Sequence, residues 1–545
     1  MKKNKYPIAF ITILIIMINV LLAARFMLTN DEAYYVAFAR NLQLSYVDSP
    51  PFVSYLSWFP VHYHYNQALL LRLSVLIIHL ISTLIMVRVV NNNLQIHHQT
   101  KSPQAIIHTI LIAYLCPIFG LYGIFILPDV GLILALSIMI FIADKIYHQK
   151  SIDFYKSLLL GLGLGIGLLS KYHIIPLGGG ILLGLLIHLW HNNPTKKISR
   201  LLCSACVIIV TSLIVSMPMW IWNIKYHFAS FKFQLQHGFA KGDWSLTSLL
   251  IFVCSSILCI TPWFAYLLVK YGLLRKPRLY LVIPYLSLFG ILLLSSLRKN
   301  VLGHWIAPAL WILLPYAVIN LQIYGSILAK KAFRYYCAIT MIFWIIIALP
   351  LALPGGMNNI KIILLKTNHD LSNMVDLLLW NDLRDILNNS SVFHESLHDL
   401  HLAKPMYFDA PHFANIQTTS YCKVNQDLIG TTDWMFTAQF EYTNLFDNFK
   451  QLQNASYKIL NVNIEHANFY LWRDDLTKYA SCPILIITYR TLPEYLKDII
   501  EIQQQETIEN ISQYKNLQLH LIIGKFKDSQ SIATRQNAVM VSGHY

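Results

Sequence analysis

"YPIAFITILIIMINVLLAARFML" (residues 6–28) carries one charged side chain, Arg25, and "TNDEAYYVAFARN" (residues 29–41) follows it with Asp31 and Glu32 side by side. A run this long and this apolar is a membrane span. Its length, and the spans that come after it, mark a retained anchor rather than a cleaved secretory signal. Two adjacent acids immediately beyond a span raise the question of what holds them there, because ionisable groups at a membrane edge are costly and tend to be functional.

The rest of the chain has the same character. Of 545 residues, 56% are hydrophobic and 13% are charged, against roughly a quarter charged in soluble domains. Apolar runs recur near 7–28, 67–90, 104–123, 129–146, 156–170, 173–190, 201–222, 247–269, 279–297, 304–322 and 334–352, which predicts about eleven transmembrane helices. With the N-terminus inside, eighteen basic residues fall at inner ends and nine at outer ends. That bias supports an odd number of spans and an exterior C-terminal region. The net charge of +15 suits anionic lipid at the inner face. No basic face on a soluble domain is present to take a nucleic acid.

After "LPLALPGGMNN" charges return and apolar runs shrink to strand length. "PILIITYR" and "LQLHLIIGKF" read as strands, with "EYLKDIIEIQQQ" as a helix between them. The expected fold is therefore an α-helical polytopic membrane protein, residues 1–354, with a small C-terminal α/β exterior domain, residues 355–545. Six of the eight cysteines lie in or beside spans as small apolar filler. Cys422 and Cys482 fall in the exterior domain, where a disulfide between them is open. "GLGLGIG" (161–167) lacks the strand and soluble helix of a phosphate loop and reads as close helix packing.

Residues 1–351 hold only seven acids: Asp31, Glu32, Asp48, Asp129, Asp144, Asp153 and Asp243. Five of them sit on the predicted outer side, Asp243 as a solvated loop charge. Basic residues gather at the same ends: Arg25 and Arg72 inside spans, Lys171 with almost no loop around it, and the pair Arg298 and Lys299. Arginine forks and lysine point charges of this kind suit an anionic head group. A carboxylate pair opposite a basic cluster suggests one chemistry. A lipid phosphate leaves a sugar carbon while a carboxylate takes a proton from the incoming hydroxyl.

The stretches "DEAYYVAFARNLQLSYVDSPPFVSYL", "LPDVGLILALSIMIFIADK", "GLGLGIGLLSKYHIIPL" and "WNIKYHFASFKFQLQHG" resemble, in this order, the polyprenyl-phosphate-sugar glycosyltransferases of the GT-C class. These include protein O-mannosyltransferases and the aminoarabinose and galacturonosyl transferases of lipid A. The resemblance covers most of residues 1–320. It implies Asp31 as general base and Glu32 as a residue that shapes the site. It implies Asp129 as the acid of the second outer loop and Lys171 as the basic residue after the fifth span. "SYVDSPP" matches a segment often written with His after the Asp, a place taken here by Ser49. "VLGHWIAPA" adds His304 and Trp305. The expected substrate-binding set is Arg40, Asp48, Arg72, Asp129, Lys171, Arg298, Lys299 and His304.

The implied partners are a polyprenyl-phosphate-linked sugar donor, a glycolipid or protein acceptor, and membrane lipids. No cofactor is required; a divalent cation is allowed, though no closed His/Cys cluster is present. The location expected is a bacterial inner membrane with the C-terminal domain in the periplasm. The competing function is a transporter or flippase for a lipid-linked sugar. Such proteins place their sites near the midplane in broken helices, often with internal repeats, whereas here the charges lie at the outer edge and no repeat is visible.

Overall fold

The computed structural model describes residues 6–26, 28–63, 68–96, 103–192, 198–238, 244–352, 427–431, 457–461, 476–488, 496–508 and 519–532. Asp243 and Cys422 lie outside these. The chain forms two compact units, residues 1–26 with 42–356, and residues 27–41 with 357–545. The short segment with the acid pair thus groups with the C-terminal residues.

The first unit is helical. α1 (Tyr6–Arg25) is followed, within this unit, by α3 (Phe52–His62) and α4 (Ala68–Ile96). Next come α5 (Pro103–Leu115), α6 (Pro117–Tyr122), α7 (Asp129–Gln149), α8 (Phe154–Ser170) and α9 (Ile174–Asn192). α10 (Ile198–Val215), α11 (Met217–Lys225) and α12 (Ala229–Gly238) precede α13 (Leu246–Ile260) and α14 (Pro262–Leu267). α15 (Leu279–Ser296), α16 (Ala307–Trp311), α17 (Leu314–Tyr324) and α18 (Ile327–Ala352) complete it. Between them, α2 (Asn30–Arg40) belongs to the second unit.

Among the described residues six helices are long and apolar enough to cross a membrane, or nine if each bent pair is one span. Two shorter apolar helices, α5 and α8, fill the other expected positions. The protein is a multi-pass membrane protein. The breaks have local causes. α13 and α14 meet at 93°, where Thr261 takes a positive φ of 70° ahead of Pro262. The carbonyl freed there, on Ile260, accepts from Cys116 Sγ. The 61° bend before α17 falls just ahead of Pro315, whose missing N–H cannot continue a ladder.

α7 is the inner helix: 72% of its apolar window is buried, against 17% for α10. It packs on α4, α8 and α9. The glycines of α8 explain how. A Cβ on Gly161 would meet Thr211 and the Ile208 carbonyl of α10 at 2.7 Å, and one on Gly165 would meet Val215 at 2.6 Å. A Cβ on Gly163 would strike Met139 of α7 at 2.7 Å. Glycines four apart therefore admit α10, and the glycine between them admits α7. This is the close packing expected of "GLGLGIG".

At its far end α7 carries a buried acid. Asp144 accepts from Asn93 Nδ2 of α4 at 2.8 Å, Tyr316 OH of α17 at 2.9 Å and Arg278 Nη1 at 3.0 Å. Arg278 also donates to Tyr280 OH and Asn93 Oδ1. Four elements converge on one carboxylate.

In the second unit, five strands make a mixed sheet in the order β2-β1-β3-β5-β4. They are β1 (Asp427–Thr431), β2 (Tyr457–Asn461), β3 (Pro483–Thr488), β4 (Ile500–Ile508) and β5 (Leu519–Phe526). β1 runs parallel to β2 and β3, and β5 antiparallel to β3 and β4. Ile484, Ile486, Ile522 and Phe526 pack with Leu496 and Ile499. The expected strands appear in β3 and β5. The helix expected over "EYLKDIIEIQQQ" is corrected to one turn, α19 (Leu496–Ile499), running into β4. Pairing with β5 overrides the helix preference of its Glu and Gln residues. Cys482 is disulfide-bonded.

Replacing Gly165 by Leu should lower the melting temperature in detergent, since overpacking costs about 1–3 kcal/mol. Gly179→Ala should leave it unchanged, because nothing stands within 4 Å of the added Cβ. Equal melting temperatures for the two variants would rule out the α8–α10 packing.

Candidate active site

Asp129 lies in the first turn of α7, where the helix dipole favours a carboxylate. Lys171, just past the end of α8, reaches across to it. Nζ lies 3.0 and 2.9 Å from the two carboxylate oxygens, with the acid side chain 4% exposed and the lysine 19%. Such a pair adds little net stability after desolvation, but removing one partner leaves a buried charge.

The two residues after Lys171 are also anchored, each to a different element. Tyr172 OH pairs with Ser230 Oγ of α12 at 2.6 Å, and Ser230 donates to Asn223 Oδ1 of α11 at 2.7 Å. The His173 ring lies 5.9 Å from that of Trp305. His173 Nδ1 is buried with no hydrogen-bond partner among the described residues. Enclosure of the ring, then the Lys171 ammonium, brings the His173 imidazole down to about 3, while Asp129 pulls the other way and His304 adds a further downward push.

Trp305 joins a second cation to this group. Lys299 Nζ stands 5.8 Å from the indole centroid, within cation–π range. That ammonium is enclosed and has no hydrogen-bond partner among the described residues, and burial lowers its pKa. Lys299 as a whole is half-buried, and an ammonium held partly away from water without a partner favours an anion beside it. The site can therefore accept one negative group beside Lys299, with Lys171 already balanced by Asp129.

The structure thus brings together Asp129, Lys171 and His304 from the expected set and adds His173, while Lys299 stands on the Trp305 ring, one contact further out. His304 lends its carbonyl to Tyr122 OH at 3.0 Å. Arg298 is exposed and stacks over Trp244. Arg72 is fully buried; Nη1 donates to the Ala23 and Phe26 carbonyls at the end of α1, and the guanidinium lies over Phe125. Those contacts satisfy helix-end carbonyls. Asp48 is half-buried, and its main-chain carbonyl accepts from Gln234 Nε2 of α12 at 2.7 Å.

In the second unit, α2 opens with a capping box. Thr29 Oγ1 accepts from the Glu32 amide, and Glu32 Oε2 accepts from the Thr29 amide at 3.0 Å. Glu32 is buried, while Asp31, one residue earlier, is exposed. Arg40 is exposed in the last turn. The sequence signal for this was "TNDE", a Thr followed three residues later by Glu. Among the described residues no three His, Cys, Asp or Glu side chains are grouped to hold a metal ion.

A profile of the family described as dolichyl-phosphate-mannose-protein mannosyltransferase matches residues 48–222, which include Asp129 and Lys171. No curated protein sequence matches the chain. Among solved structures, ArnT from Cupriavidus metallidurans in the apo state aligns at 12% identity with a TM-score of 0.54, over 96% of this chain and 98% of its own. The fold is a GT-C fold. ArnT from the same organism bound to undecaprenyl phosphate aligns at 12% identity and a TM-score of 0.51, over 95% and 97%. The expected fold class is borne out at a level of identity where single positions do not carry over.

The His173 shift has a consequence in acid. An unfolded imidazole titrates near 6.5 and takes up a proton that the folded ring refuses. Its stabilising effect is complete above that pH and is lost as the pH falls toward about 3. His173→Phe keeps the contact with Trp305 and removes the titration. The fall in melting temperature between about pH 7 and pH 4.5 should then be shallower than in wild type. An unaltered slope would mean that the ring takes its proton in place.

Proposed function

We propose that this protein is an inverting glycosyltransferase. It moves a sugar from a polyprenyl-phosphate donor to an envelope acceptor, either lipid A, another glycolipid or a protein. The observation that carries this reading is the buried Lys171–Asp129 pair, with the Lys299 ammonium linked to it through the rings of Trp305 and His173. It is a place made for an anion, in a chain whose fold matches a protein crystallised with undecaprenyl phosphate.

The donor's phosphodiester enters beside Lys299 and Lys171. As the bond from the anomeric carbon to the phosphate oxygen breaks, negative charge grows on the leaving polyprenyl phosphate. Fixed ammonium groups stabilise that charge more in the transition state than in the ground state. His173 stays neutral beside them and adds no charge of its own. Such a leaving group needs no proton, so no general acid is required. The acceptor hydroxyl is a weak nucleophile and must give up its proton as it attacks from the opposite face. Asp31, exposed on the first turn of α2, takes that proton. Glu32 holds the turn through the capping box. Arg40, Asp48, Arg298 and His304 contact donor or acceptor.

The setting proposed is the outer face of a bacterial inner membrane. The two-to-one bias of basic residues supports it, as does the disulfide at Cys482, which suits an oxidising compartment.

The test is turnover by the purified protein with a polyprenyl-phosphate sugar and a hydroxyl acceptor. Asp31→Asn should lose at least about a hundredfold in turnover. Glu32→Gln should lose much less, because Gln also closes a capping box. Wild-type turnover in Asp31→Asn would remove Asp31 as the base. Lys171→Ala should both raise the KM for donor and slow turnover, by roughly a hundredfold together in kcat/KM. An unchanged rate at limiting donor would take Lys171 out of the site.

A further inference from the structure

α8 and α10 touch through Gly161 and Gly165 and part beyond that crossing. At the end of these helices remote from Lys171, the opening between them is a cavity of about 430 Å³. Its walls include Ser151, Asp153, Ser157, Arg200 and Ser204. This site is independent of the Lys171–Lys299 cluster, since α8 alone, 17 residues long, separates the two ends.

The charges in the cavity are unequal. Asp153 is fully engaged: Oδ1 caps α8 through the Lys156 amide at 2.9 Å, and Oδ2 pairs with Lys156 Nζ at 2.8 Å. Arg200 forms no ion pair or hydrogen bond among the described residues. Ser204, 7% exposed, likewise leaves its hydroxyl without a partner among them. Exposed Arg200 and buried Ser204 therefore both line the cavity with side-chain donors unused among the described residues. The rim is apolar. Phe154, Tyr155, Ile198 and Leu202 are all exposed large side chains, and α10 is the least buried of the six long helices. Lys145 and Lys150 raise the local positive charge at the same end of the bundle, Lys156 being balanced by Asp153.

We propose that this cavity binds the head group of an anionic glycerophospholipid. Arg200 forks onto the phosphodiester oxygens, Ser204 donates to the same group, and the acyl chains lie along the exposed seam of α8 and α10. A water molecule occupies about 30 Å³, so the volume holds a glycerol unit together with its phosphate. A soluble phosphate would leave the apolar rim without a role.

The experiment uses the full chain in mixed micelles, with melting temperature as the readout. Adding phosphatidylglycerol in place of phosphatidylcholine should raise the wild-type value by about 2–4 °C. Arg200→Gln and Ser204→Leu should each abolish that difference, read against their own phosphatidylcholine baselines so that any general destabilisation cancels. Arg334→Gln, an exposed charge on α18, should retain it. A full shift in Arg200→Gln would overturn the proposal. So would an equal shift from inorganic phosphate alone, which would point to a soluble anion instead.

Discussion

A carboxylate enters the interior of a membrane protein only if its charge is met, and α7 carries one near each end. Asp129 is met by Lys171. Asp144, fifteen residues on, is met by Arg278, Tyr316 and Asn93. At 1.5 Å per residue the two acids stand about 22 Å apart along the axis. Leaving either unpaired would cost several kcal/mol. The helices that supply the partners are therefore held in register with α7 at both ends. Apolar packing alone gives no such registry in lipid, where every helix face is equally oily.

The same constraint shapes the region around Lys171. Three consecutive residues attach to three different parts of the bundle: Lys171 to α7, Tyr172 to α11 and α12 through Ser230 and Asn223, and His173 to Trp305. A turn tied in three directions cannot drift as a unit. The transfer proposed above asks for ammonium groups that act on developing charge without reorganising, and a turn tied in this way holds Lys171 in one place. The α11–α12 connection carries strain of its own, since His227 and Phe228 both take positive φ.

Much of this was legible in the sequence, and the limits have physical reasons. Spans are visible because eighteen or more apolar residues have few other uses. Breaks such as Thr261–Pro262 are less visible, because an apolar count is blind to φ. The glycines of "GLGLGIG" read correctly as packing, yet which glycine faces which helix depends on a crossing that no one-dimensional pattern holds. Asp129 and Lys171 could be singled out one by one for their rarity. Their pairing across 42 residues could not be seen. Asp144 carries no local sign of its role, since its partners come from α4, from α17 and from Arg278 just ahead of α15. The "TNDE" box is fully local, yet the adjacent carboxylate pair within it is the more conspicuous feature of the same four residues. "EYLKDIIEIQQQ" misled for the opposite reason: its composition favours a helix, and only the neighbouring β5 makes it a strand.

The Lys171–Asp129 bond also sets a thermodynamic limit on anything else that seeks the same ammonium. A visiting anion finds a resident one already in place and must share Lys171 or displace it. Its net gain is a difference between two similar attractions, not the whole of one. Tight capture is thereby forgone, and departure is eased by the same amount. For the lipid-linked donor proposed above this is a workable compromise, because confinement to the bilayer already keeps such a molecule close and slow release would limit turnover.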